Sequence, residues 1–276
     1  SAEARNQGGQ PEGTDVDEDV QTEYTDTLPT EAELDDVLIQ MVADMHVGSK
    51  GQRRRVLTML RKHASNGLFS TQEHKTGLLK DYPISFKLTD DKPTFVAPYP
   101  TTPAKELEMI RQAGLMQKEG LIHPTTSPNN HPLLLVDKKG GKAPRMCIDL
   151  RKWNAKLVSE YFELPAIRDI GNNLAASRLF SQVDCTAGYQ MVPLDTTDGP
   201  VTSAHQLAFT LPRHKGRFAM SRLTFGVADA MHSFNRAMTG VLRDHFEYCA
   251  VYVDDCNIHS GTRTMSDHEC VELHIL

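Results

Sequence analysis

Apolar positions along the chain recur at two spacings, and the elements change where the spacing changes. Leu34, Val37, Leu38, Met41 and Val42 fall on one face of a helical repeat, and Thr30 followed by Glu31 and Glu33 marks its start. A second helix is predicted over residues 52–64, with Val56, Leu57 and Leu60 inward and Arg53, Arg54 and Arg55 outward. That triple arginine suits contact with nucleic acid, but a solvated helix face is the simpler account. Residues 82–88 alternate as a strand does, and the proline-rich stretch 92–103 reads as an extended connector. Thr102-Pro103 opens a long helix, because Pro is tolerated at the first helical position, and Gly120 closes it. Leu107, Ile110, Leu115 and Met116 form its apolar stripe.

Downstream, residues 133–136 and 145–148 read as two strands joined across Gly140-Gly141, with Lys138, Lys139, Lys142 and Arg145 crowding the hairpin. Leu164-Pro165 leads into a short helix ending near Ala176, and the apolar run 179–183 delivers Asp184 at its end. Residues 206–211 and 217–220 form a further hairpin around Arg213-His214-Lys215-Gly216, followed by a helix over about 228–246. Tyr252-Val253-Asp254-Asp255 lies between β-favouring stretches on both sides, so it reads as a hairpin with the carboxylates at its tip. Helices interspersed with antiparallel pairs define an α+β chain.

Charge divides the chain unevenly. Residues 1–50 hold 13 Asp/Glu against two Lys/Arg, whereas residues 51–276 hold 23 against 28 and are mildly basic, as contact with a phosphate backbone requires. Residues 1–30 are acidic and poor in large apolar groups, so a disordered leader is expected there. A hydrophobic fraction of 39% suffices for a core. No apolar run approaches the roughly 18 residues of a membrane span, and the opening Ser-Ala-Glu-Ala is no signal region. The expectation is a cytosolic or nuclear chain without membrane contact, cut from something longer. Five cysteines without a CxxC pair suggest neither a disulfide framework nor a zinc knuckle. His268, Cys270 and His274 fit no common zinc spacing, and a polar helix face explains them more simply.

Adjacent aspartates in a buried strand context repel each other unless a cation neutralises them, and hard carboxylate oxygens on a rigid hairpin suit Mg²⁺. Asp184 ends an upstream strand, so Asp184, Asp254 and Asp255 supply acidic oxygens from more than one strand, as two-metal phosphoryl transfer requires. The basic hairpin ahead of them would hold a triphosphate.

Four ordered segments carry a family resemblance: Arg145-Met-Cys-Ile-Asp149-Leu-Arg151-Lys-Trp-Asn154, Leu179-Phe-Ser-Gln-Val-Asp184-Cys-Thr-Ala-Gly188-Tyr189, Leu223-Thr-Phe225-Gly226-Val and Tyr252-Val-Asp-Asp255. Over about residues 80–275 the chain resembles reverse transcriptases, most of all those of gypsy-type LTR retrotransposons. The stretch from Gly120 to Pro128 matches that pattern too.

The resemblance implies a right-hand polymerase with fingers and an incomplete palm over residues 79–276, a helical linker region over 31–78 and a missing thumb. It implies that Asp184 and Asp254, with Asp255 beside them, bind two Mg²⁺ ions, Mn²⁺ being an alternative. It implies that Tyr189 crowds the ribose 2′-hydroxyl, that Lys138 and Arg145 hold the incoming triphosphate, and that Phe225 and Gly226 lie under nucleotide and template. Taken alone, Tyr189 and Phe225 would read as core packing. The implied partners are an RNA or DNA template with its primer, deoxynucleoside triphosphates, and the thumb, ribonuclease H and integrase portions of a polyprotein, in a cytoplasmic virus-like particle or the nucleus. Thr224 stands where the family usually has Pro, and Asp229-Ala-Met-His232-Ser-Phe departs from its usual run. Two other readings stand beside this one: an inactive remnant that only binds nucleic acid or a partner, and an unrelated metal phosphatase or nuclease.

Overall fold

The computed structural model describes residues 28–72, 75–137, 144–160, 162, 167–196 and 203–275. The Gly140-Gly141 turn, Lys138, Lys139, Lys142, Leu164-Pro165 and most of the acidic leader lie outside the described residues. Helices α1 (Leu34–Ala43) and α2 (Lys50–Ala64) come first, then α3 (Pro103–Lys118) and strands β1 (Ile122–Pro124), β2 (Leu133–Val136) and β3 (Arg145–Ile148). After the short helices α4 (Arg151–Asn154) and α5 (Ile167–Ala175) come β4 (Leu179–Asp184), α6 (Ser203–Gln206), β5 (Ala208–Thr210) and β6 (Arg217–Met220). Helix α7 (Ala230–Leu242), the hairpin β7 (Cys249–Tyr252) and β8 (Asp255–Ser260), and α8 (Asp267–Ile275) complete the order.

Among the described residues three antiparallel sheets result, ordered β1-β6-β5, β2-β3 and β4-β8-β7. Together with the helices they make the α+β architecture that the patterning predicts. The core joins them: Trp153, Phe209, Phe234, Leu207, Met220 and Leu223 are fully buried, and Trp153 meets Phe86 edge-on at 5.1 Å. Thr102 caps α3 with its side chain on the Lys105 amide, and Gly120 leaves the helix at φ +68°, where a residue without Cβ is favoured.

Several expectations are corrected. Residues 82–88 form no strand; Ile84 and Leu88 make isolated bridges to Leu194 and Leu157, although burial alternates along the segment. On α1, Leu38 and Val42 are buried while Val37 and Met41 face solvent, because α2 covers only one narrow side. On α3, Met109 and Ala113 are buried whereas Leu107 and Leu115 are exposed, since the helix touches β1 and β2 along a single i, i+4 line. Arg53 does not point outward: it donates to the carbonyls of Val42, Ala43, Met45 and Gly48, satisfying acceptors at the end of α1. The helical region expected over residues 31–78 holds two helices, and the buried Gln52 donates to His268 O and Glu272 while Arg55 pairs with Glu272 at 2.6 Å, docking α2 on α8.

Candidate active site

Strand β4 places Asp184 at its last position because the run Leu179–Asp184 pairs residue for residue with β8, ending in the register Asp184↔Asp255. Residues directly opposite in an antiparallel ladder share a face, with Cβ atoms about 5 Å apart. Strands β7 and β8 close over a two-residue turn, Val253-Asp254, beyond the pair Tyr252↔Asp255. The carboxylates therefore sit at the hairpin tip, as the sequence predicts. Val253 takes φ +56° at a position where such turns favour Gly or Asn, so a β-branched residue is held there against its preference. The Cys185 amide donates to Asp254 O at 3.2 Å and ties the turn to the residue after Asp184.

Electrostatics report the same convergence. Asp184 is exposed at the end of β4, and partial desolvation, then the Asp255 charge, push its carboxyl above its ordinary value. Burial also raises Asp254, with Asp184 and Asp255 adding to it against a backbone hydrogen bond that lowers it. The Cys185 thiol is pushed up to about 11 by burial and by all three aspartates. Among the described residues, no Lys, Arg or His side chain forms an ion pair with these carboxylates. No group of three or more His, Cys, Asp or Glu side chains among the described residues, these three carboxylates included, stands placed to hold a metal ion. The donor set is hard, negative and uncompensated, which fits an open site for a divalent cation that completes its shell with water and phosphate.

A second group lies along the chain from Asp184. Ala187 at φ +53° turns the backbone into a 3-10 turn over Gly188–Met191. A Cβ on Gly188 would stand 3.0 Å from the Phe234 ring, so any larger residue there would have to displace that ring. Tyr189 thereby packs on Phe225 at 5.2 Å and Phe234 at 5.7 Å between centroids. The Arg145 guanidinium stands 5.0 Å from the Phe225 ring centre, a cation–π distance. Gly226 follows at φ +91°, and a Cβ there would lie 3.2 Å from Ile148 O at the end of the strand that carries Arg145. Arg145, Tyr189, Phe225 and Gly226 are thus one contiguous wall, while Lys138 lies outside the described residues.

Two supporting residues were not assigned roles from sequence. Gln182 donates to Asp255 Oδ1 at 2.8 Å; its place two residues before Asp184, on the same strand face, is the signal that could have found it. Asn154 donates to Gly226 O at 2.7 Å and accepts from the Ala228 amide at 3.1 Å, clamping the loop under Phe225. It ends the quoted Arg145–Asn154 segment, yet nothing local to that segment names its partner. The departures at Thr224 and His232 are absorbed by the fold: Thr224 is buried, and a His232 ring nitrogen lies 3.1 Å from Phe162 O.

The family model described as reverse transcriptase (RNA-dependent DNA polymerase) matches residues 136–274, the span that holds both groups. The chain belongs to the reverse transcriptase family. Among curated proteins, this reverse transcriptase domain is 32% identical over 206 residues to the retrovirus-related Pol polyprotein from transposon gypsy of Drosophila melanogaster, covering 72% of the chain and 19% of that protein. It is 30% identical over 168 residues to the corresponding polyprotein from transposon opus of the same fly, covering 59% of the chain and 16% of that protein. These matches make it a gypsy-type retrotransposon domain, and it spans about a fifth or less of those relatives' length. Its fold matches that of the foamy viral protease-reverse transcriptase in complex with RNA/DNA hybrid, with a TM-score of 0.68 at 20% identity over 84% of this chain and 30% of that one. Membership of the family implies a divalent metal cofactor in general terms.

Proposed function

We propose that this domain carries the nucleotidyl-transfer centre of an RNA-directed DNA polymerase, extending a primer 3′-hydroxyl with deoxynucleotides on an RNA or DNA template. The observation that carries the reading is the register Asp184↔Asp255 with Asp254 in the adjoining turn, which brings acidic oxygens from two strands to one edge. Asp184, Asp254 and Asp255 are the residues that would hold two Mg²⁺ ions, or Mn²⁺ in their place. When bound, such ions polarise phosphoryl oxygens and offset charge on the attacking and leaving oxygens.

The chain's own residues do the rest. In the transfer, the primer 3′-oxygen bonds to the α-phosphorus, the bond to the bridging oxygen breaks, pyrophosphate leaves and the hydroxyl proton passes to water. Arg145, held over the Phe225 ring, keeps N–H groups available for the triphosphate, and Lys138 is assigned the same task. Tyr189, packed from behind by Phe225 and Phe234, forms a rigid floor that would crowd a ribose 2′-hydroxyl. Gly226 lets the backbone approach nucleotide and template closely, and Asn154 holds its loop.

Primer extension by this chain and by Asp254→Asn tests the reading. A divalent metal is worth several kcal/mol of transition-state stabilisation, so the variant should lose at least about a hundredfold in incorporation. Equal incorporation by the two proteins would sink it.

A further inference from the structure

Helix α2 carries a charge pattern on its outer face that the catalytic centre does not explain. Its fifteen residues include six Lys or Arg and no Asp or Glu, whereas a helix face that is merely solvated usually interleaves both signs. The fold accounts for three of the six. Arg53 caps α1, Arg61 pairs with Asp35 through two hydrogen bonds of 2.6 and 2.8 Å, and Arg55 pairs with Glu272. Lys50, Arg54 and Lys62 remain without a counter-charge among the described residues, and all three are exposed.

Arg54, Thr58 and Lys62 follow one another at i, i+4 and i+8, so they form a straight stripe about 12 Å long at 1.5 Å of rise per residue. The stripe borders a cleft of about 440 Å³ between α2 and the last turn of α8, lined by Arg54, Arg55, Thr58, Lys62, His63 and Ile275. That length covers about three to four phosphates of one duplex strand, whose charges recur every 3.4 Å along the axis. Helix α8 in turn joins the stripe to the carboxylate strands, since His274 bonds both Ser181 of β4 and Ser260 of β8.

We infer that the Arg54–Thr58–Lys62 face of α2 is a docking surface for the phosphate backbone of the template–primer duplex. It is a sequence-independent contact outside the fingers and palm, and it rests on the reading that this chain binds template and primer. Arginine and lysine supply the charge, while the Thr58 hydroxyl donates its proton to Arg54 O at 2.9 Å and only spaces the two cations along the face.

The test is equilibrium binding of a short primer–template duplex across a series of salt concentrations, read without any nucleotide so that catalysis plays no part. Arg54→Ala/Lys62→Ala should bind more weakly at every salt. Its log–log salt slope should be shallower by about 1.8, close to 0.9 for each phosphate contact removed. Arg54→Lys/Lys62→Arg should keep the slope of the parent, and Lys105→Ala/Lys118→Ala on α3 should keep it too. A parent that binds no duplex overturns both this inference and the polymerase reading. A parent that binds with the same slope as the double alanine variant overturns this inference alone and assigns the stripe to solvent or to an acidic protein surface.

Discussion

Asp184 and Asp254 are held where their ionised forms are disfavoured, and this has a sign that solution measurements can read. A carboxyl whose folded pKa lies above the unfolded value binds protons more tightly in the native state, so stability falls as pH rises through that window. The window opens near 3.8 and extends to the raised native values, and above it the metal-free protein carries the full penalty. Asp184→Asn removes one of the charges. At neutral pH without metal the variant should therefore unfold at higher urea than the parent, with the gap closing on acidification. Magnesium at a hundredfold excess over its dissociation constant should stabilise the parent by about 2.7 kcal/mol and the variant by much less. A parent that is indifferent to Mg²⁺, or a variant less stable at neutral pH, would contradict this. The acidic residues were legible as residue types in strand context. The left-handed backbone of Val253 was not, because β-branched residues argue against such a turn and only the completed hairpin imposes it.

Among the elements, strands were easier to read than the faces of helices. The pairs β2–β3 and β7–β8 follow from short apolar, β-favouring runs with turn-forming residues between them in the sequence, whereas α3 buries Met109 and Ala113 instead of the larger Leu107 and Leu115. Hydrophobic periodicity tells which face a helix could bury, but the neighbours decide how much of it is covered. The loop that carries Phe225 and Gly226 makes the same point, since its shape depends on an amide 72 residues away, Asn154. Asn154→Ala leaves the Gly226 carbonyl and the Ala228 amide to water and should cost about 1 kcal/mol in urea unfolding. Gly226→Ala should cost more, because it adds strain at φ +91° to a 3.2 Å approach to Ile148 O. Midpoints equal to the parent in both variants would remove the clamp from the account.

The molecule as a whole brings together what lies far apart in sequence. Four ordered motifs disclosed the family, because each motif is local. The docking of α2 on α8 was not legible, for it depends on hydrogen bonds such as Gln52 to His268 O that span 216 residues and leave no local pattern. The central claim is that Asp184, Asp254 and Asp255 together hold the divalent ions of one two-metal centre. Replacing Mg²⁺ with Fe²⁺ and generating hydroxyl radicals with ascorbate and peroxide cuts a protein backbone next to the bound ion. The account predicts two cuts, one near Asp184 and one near Asp254-Asp255, both suppressed by excess Mg²⁺ and both lost in Asp254→Asn. Cutting at only one of these segments, or cuts that persist in Asp254→Asn, would contradict it.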